Sequence, residues 1–121
     1  MVRYKTCTAY FQVDDVKECM LTLERRVHEF GGIQISQPID ISPQGIQDDC
    51  PVFQASYLIG DVGVYQNGVG NPNDENGTIF IKLASQCSDK DYNSRGPIEE
   101  VVDKLRKLYP QISHVTVVHI D

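Results

Sequence analysis

The sequence predicts an α+β domain, with a mixed, mostly antiparallel sheet of about five strands and two helices on one face. Two kinds of periodicity carry that expectation. Apolar and polar residues alternate with period two along residues 2–13, 33–41 and 78–85, the pattern of half-buried strands. Two further stretches, residues 16–30 and 98–108, carry apolar residues at spacings of three and four, the pattern of amphipathic helices. At 121 residues, the chain reads as one domain spanning residues 1–121, which can bury roughly two-thirds of its unfolded surface.

Residues 2–13 place Cys7, Ala9, Phe11 and Val13 on one face of the first strand, and Tyr4, Thr6, Thr8 and Tyr10 on the other. Asp14 and Asp15 then open a helix. Asp15 with Glu18 three residues later fits a capping box, with Asp in the usual Ser/Thr place. Val16, Met20, Leu23, Val27 and Phe30 form its buried stripe, and Gly31-Gly32 ends it, because glycine accepts the left-handed cap conformation.

Ile33, Ile35, Ile39 and Ile41 alternate with polar residues, giving a second strand. Pro38 cannot donate to a ladder and puts that strand at an edge or breaks it there. Residues 42–51 read as a loop and residues 52–59 as a strand. Residues 60–77, GDVGVYQNGVGNPNDENG, read as a long polar excursion rich in glycine and asparagine. Residues 78–85 form the next strand.

Pro97 suits a first helical position, and Glu99 and Glu100 complement the helix dipole. Ile98, Val101, Val102, Leu105 and Leu108 supply the stripe, and Pro110 follows as a stop. Residues 112–120 carry apolar side chains on both faces, which suggests a strand in the middle of the sheet. The order strand, helix, three strands, helix, strand resembles a ferredoxin-like sandwich carrying an additional hairpin strand. That resemblance concerns the fold alone.

Composition narrows the function classes. A net charge of -6 disfavours direct nucleic-acid binding, which needs clustered cations. The four cysteines form no CxxC pair, and the N-terminal segment has no signal-like apolar core, which fits a cytoplasmic protein with reduced thiols. No run is long enough to cross a bilayer as a helix. His28, His114 and His119 do not converge by local spacing, so no metal or cofactor site is expected from them. No catalytic constellation assembles from local spacing either, and the expected class is non-enzymatic.

Candidate binding residues come from two polar segments. Residues 60–77 offer Tyr65 as a stacking plate and Asn67 as an amide reader, but match no phosphate-loop pattern. As a plain alternative they are a hairpin tip. Residues 86–96 offer Tyr92, Asn93 and Arg95 beside a helix N-terminus, suited to an anion or serving only as a capping loop. Asp89, Asp91, Asn93 and Glu100 occupy positions 1, 3, 5 and 12 of a calcium-loop template, with Ser94 in place of its turn glycine. Arg25 and Arg26 could hold phosphate or simply pair with Glu24 and Glu29.

The outward sheet face is expected to bear Tyr4, Thr6, Thr8, Tyr10, Gln34, Ser36, Gln54, Ser56, Phe80 and Thr116. It is nearly free of charge and suited to self-association through Tyr4, Thr6, Thr8 and Tyr10. The leading expectation is an oligomeric protein that sequesters a small, anionic, nucleotide-like molecule without turning it over. The alternative is an acidic inhibitor that covers the basic nucleic-acid-binding surface of a protein partner. Either role resembles those of short accessory proteins of phages and mobile elements.

Overall fold

The computed structural model describes residues 3–40, 52–71, 75–112 and 116–120. Six strands form one sheet: β1 (Arg3–Val13), β2 (Gly32–Asp40), β3 (Val52–Ile59), β4 (Val62–Gly70), β5 (Gly77–Cys87) and β6 (Thr116–Ile120). Their order is β2-β3-β4-β5-β1-β6, and every neighbouring pair is antiparallel. Three α-helices accompany them: α1 (Val16–Arg26), the single turn α2 (Asp89–Tyr92) and α3 (Pro97–Leu108). The α+β class and the helix stripes stand as expected. Without the hairpin β3–β4, the order β6-β1-β5-β2 is that of a split βαβ, ferredoxin-like sheet.

One face of the sheet carries the core. Cys7, Ala9 and Phe11 of β1 and Ile79, Ile81 and Leu83 of β5 pack against Val16, Met20 and Leu23 of α1. Ile98, Val101, Val102 and Leu105 of α3 complete it. Each of the Val, Ile, Leu, Met and Phe side chains among them contributes about 1.5–3 kcal/mol by leaving water. Asp15 caps α1 by accepting from the Glu18 N–H at 2.9 Å. The helix tightens into a 3-10 turn over Val27–Phe30, which closes at Gly31 with φ of 74°. At α3 the Gly96 N–H donates to the Glu99 carboxylate at 2.9 Å.

Three sequence expectations are corrected. The first concerns residues 60–77, most of which are not a loop. Gly60 and Asp61 make a two-residue turn with φ of 60° at Gly60, and β4 follows at once. Its inward positions are Val62, Val64, Gln66, Gly68 and Gly70, all buried. The glycines are packing devices. A Cβ at Gly68 would lie 2.6 Å from Val16 Cγ1, and one at Gly77 only 2.1 Å from the Val69 carbonyl oxygen. The N-terminus of α1 sits so close to the sheet here that only glycine fits.

The second concerns β2. Ile33 and Ile35 were expected inward, yet they are 63% and 60% exposed. Ile33 pairs with Leu58 on the open face, and Gln34, expected outward, pairs with the core residue Tyr57. Gly32 takes the inward position because a Cβ there would meet Val27 at 2.6 Å and Ile59 at 2.8 Å. Ile35 is the extra residue of a bulge between Gln34 and Ser36.

The third concerns the last strand, which lies at an edge beside β1 rather than in the middle. Val117 and Val118 are apolar but partly exposed on opposite sides. The expected loop 42–51 and residues 113–115 lie outside the described residues.

Candidate functional site

Two surfaces combine unusual chemistry with access, and they lie on opposite sides of the sheet. The first is a groove between α3, the α2–α3 connection and β6. Its more enclosed part, about 170 Å³, has Cys7, Ile98, Val102 and Val117 as an apolar floor, with Glu99, Arg95, Asp103 and Arg106 as its charged lining. An adjoining hollow of about 440 Å³ is lined by Lys5, Asn93, Ser94, Arg95, Glu99 and Val117.

Lys5 fixes that groove. It occupies an inward position of β1, in phase with Cys7 and Ala9, and is 3% exposed. A buried ammonium must find a full set of partners. Lys5 Nζ donates to the carbonyls of Asp91 at 2.8 Å and Ser94 at 2.7 Å, and to Glu99 Oε1 at 2.5 Å. Burial alone would push the Glu99 carboxyl up. The Lys5 hydrogen bond and the Gly96 N–H outweigh that and hold it below the usual glutamate range. The connection carrying Asn93 and Arg95 is thereby fastened to the sheet at Ser94, with α2 held at Asp91 on one side of it and α3 at Glu99 on the other.

At the rim, Arg95 and Arg106 share one carboxylate. Arg95 Nη2 pairs with Asp103 Oδ2, while Arg106 Nη1 lies 3.7 Å from Asp103 Oδ1. Arg106 is further positioned by donating from Nε to the Ile112 carbonyl at 3.2 Å. The Cys7 thiol below them is pushed up to about 11, first by burial and then by Glu99, despite an opposing pull from Arg106. Burial likewise raises Cys19 to about 11. Neither is a thiolate nucleophile at neutral pH.

The second surface is the open face of the sheet. Tyr4, Thr6, Thr8 and Tyr10 line β1 there, and cross-strand pairing sets Phe80 beside Tyr10 and Lys82 beside Thr8. Tyr65 pairs with Lys82 and with Ser56, and Asn67 pairs with Phe80 and Gln54. Tyr10 is 73% exposed, and its ring lies 6.2 Å from that of Phe80. The Ser36 and Ser56 hydroxyls are 2.8 Å apart. Tyr65 leans along β4 over Gly63, where a Cβ would meet its hydroxyl at 3.1 Å. Lys82 is the one charged residue among the described side chains of this face.

The proposed ligand residues therefore separate. Asn93 and Arg95 meet in the groove. Tyr92 lies just beside it, with the Arg3 guanidinium 4.5 Å from its ring centre. Tyr65 and Asn67 belong to the open face. Arg25 and Arg26 sit at the far end of α1, paired with Glu18 at 2.5 Å and Glu29 at 2.9 Å. Of residues 60–71, Asp61 approaches the second polar segment, lining a hollow with Ser88 and Asp91. The Asn71–Asn76 end lies at the opposite end of β4, where the Glu75 carbonyl accepts from the Val16 N–H.

Of the calcium-template residues, Asp89 pairs with Arg3 at 3.2 Å and Asp89 to Tyr92 are helical. Among the described residues no group of three or more His, Cys, Asp or Glu side chains could hold a metal. Cys7, Cys19 and Cys87 are free thiols. No helix among the described residues is long and apolar enough to cross a membrane.

Sequence reasoning overlooked Lys5, Lys82, Asp103 and Arg106. Strand alternation already held the signal for the first two: Lys5 falls in phase with core residues, and Lys82 in phase with Phe80. No protein-family model and no curated protein sequence matches this chain.

Proposed function

We propose that this chain is a non-catalytic binding protein that holds a small, anionic, nucleotide-like molecule in the α3 groove. The observation that carries the reading is the place of Arg95 at the join of two adjoining hollows, one holding Arg106 above an apolar floor and the other holding Asn93. Small-ligand sites are concave and mostly apolar, with a few polar groups that fix orientation. Guanidinium groups suit phosphate or carboxylate because their donors form a planar fork. Asn93 would read a polar edge of the ligand, and Val117 with Ile98 would cover its flat body. Binding without turnover is the behaviour of a sequestering protein, such as the nucleotide sponges of phages and mobile elements.

Self-association belongs to the same proposal and to the other side of the sheet. A broad surface of hydroxyls and aromatics with a single cation suits a flat protein interface better than a small molecule. Tyr4, Thr6, Thr8 and Tyr10 would lie in it. The inhibitor reading draws less support, because Glu18, Glu29, Asp89, Glu99 and Asp103 already pair with cations of their own chain.

The test is thermal unfolding against a panel of nucleotides and anionic metabolites. A ligand that binds only the folded state raises Tm by mass action. Stabilisation by one ligand class, lost in the Arg95→Gln/Arg106→Gln variant, is expected. A flat response across the panel, with no ligand retained on purification, would overturn the reading.

A further inference from the structure

We infer that Asp103 stands in the place of the ligand's anionic group, and that the ligand enters by displacing it from Arg95 and Arg106. The inference rests on the reading of the groove as an anion site and adds how that site is held and released. Its basis is the arrangement of the rim. Two guanidinium groups border an apolar hollow, and one carboxylate lies between them, one oxygen facing each. A ligand phosphate or carboxylate offers the same oxygens to the same donors.

Asp103 is a weak holder of that place. Its side chain is 45% exposed, as are those of Arg95 (62%) and Arg106 (43%). Ion pairs between exposed side chains contribute little, because water and salt compete for both partners. Arg106 is also fixed independently through Ile112, so it stays in position when Asp103 leaves. The Lys5–Glu99 pair contrasts with this: its ammonium is buried and bound to three acceptors, so Glu99 is no rival for a ligand. The rim then selects ligands whose anion is joined to a body that fills the floor of Cys7, Ile98, Val102 and Val117. Such a ligand gains apolar contact that the short Asp103 side chain cannot supply. A free anion gains nothing over Asp103 and is excluded. Asp103 thus sets a threshold for entry.

The experiment is calorimetric titration of the full chain and its variants with adenosine 5′-monophosphate and with inorganic phosphate. Asp103→Asn keeps the shape of the side chain and removes its charge. It is expected to bind adenosine 5′-monophosphate about tenfold tighter than the wild type, as two charge-assisted partners become free. Inorganic phosphate, undetectable with the wild type, should become measurable. Glu29→Gln removes the same charge from the Arg26 pair at the far end of α1 and should bind as the wild type does. The gain should vanish in Asp103→Asn/Arg95→Gln/Arg106→Gln.

An equal gain in Glu29→Gln, or a gain that survives loss of both arginines, would overturn the inference. So would Asp103→Asn binding no tighter than a wild type that does bind, which leaves the groove standing as a site. If neither probe binds any form, and the wider panel is also silent, both the inference and the function proposed above fall.

Discussion

The two sides of this sheet place lysine under opposite conditions. Lys5, on the helix side, is buried and satisfied by three acceptors, and it fastens the connection that forms the groove. Lys82, on the open side, stands among Tyr65, Thr8 and Phe80, with no helix of the described residues over it. The same residue type therefore serves structure on one side and surface chemistry on the other. Burial, not sequence identity, decides which. The helix side is covered by α1 and α3, holds the groove beside β6, and pairs its buried ammonium with Glu99. The open side carries one charged residue among its described side chains. A small ligand and a second copy of the chain ask for those two surfaces respectively.

The sharpest way to break this comparison is to remove the matched charge. Glu99→Gln leaves the Lys5 ammonium buried without its carboxylate, and breaking such a pair costs about 3–5 kcal/mol. Urea unfolding should show that loss. Lys82→Met on the open face should stay within about 0.5 kcal/mol of the wild type. Similar losses in the two variants would mean that the two sides are not distinguished by burial.

Glycine substitutions sharpen the same contrast. Gly68→Ala drives a methyl to 2.6 Å from Val16 beneath α1, and overpacking of this kind costs about 1–3 kcal/mol. Gly63→Ala meets only the exposed Tyr65 ring, at 3.1 Å from its hydroxyl, which can swing aside at a change of about 0.5 kcal/mol or less. Thermal melts of the two variants decide the matter.

The pH dependence follows from Glu99. Its folded carboxyl titrates below the usual glutamate range, so the ionised form is favoured by folding. That stabilisation is fully present above about pH 4.5 and is lost as pH falls through the lower folded value. The stability gap between wild type and Glu99→Gln should therefore narrow under acid. A gap that stays constant down to pH 3, or about that value, would contradict this origin.

The smallest stability effect, with the largest effect on assembly, belongs to the open face. Tyr10→Glu places a carboxylate on a side chain that is 73% exposed, so folding should be unperturbed. Light scattering should show the oligomer reduced to monomers.

Much of this architecture was legible because local and tertiary demands agree. The alternation in β1, the Asp15 cap and the stripes of α1 and α3 each read correctly from periodicity alone. β4 was not legible, because after Val62 and Val64 its inward positions are Gln66, Gly68 and Gly70, and Gly68 answers to the closeness of α1 and not to hydrophobicity. β2 misled for the same reason: Gly32 takes the inward position, and Ile33 is left outside. In β6 the apolar pattern suggested the centre of the sheet, but strand order is a tertiary property with no local signal. For the groove, Asn93 and Arg95 were visible beside a helix start. Arg106 and Asp103 looked like ordinary residues on the polar side of α3, and only the fold brings them to Arg95.

Native mass spectrometry of the purified protein tests the division of labour most directly, because it reports bound ligand and subunit number together. The wild type should appear as an oligomer carrying a small anionic molecule. Arg95→Gln/Arg106→Gln should keep the oligomer and lose the ligand, and Tyr10→Glu should lose the oligomer and keep the ligand. If the groove variant retains the ligand, or if Tyr10→Glu sheds it while staying oligomeric, the assignment of the two sides is wrong.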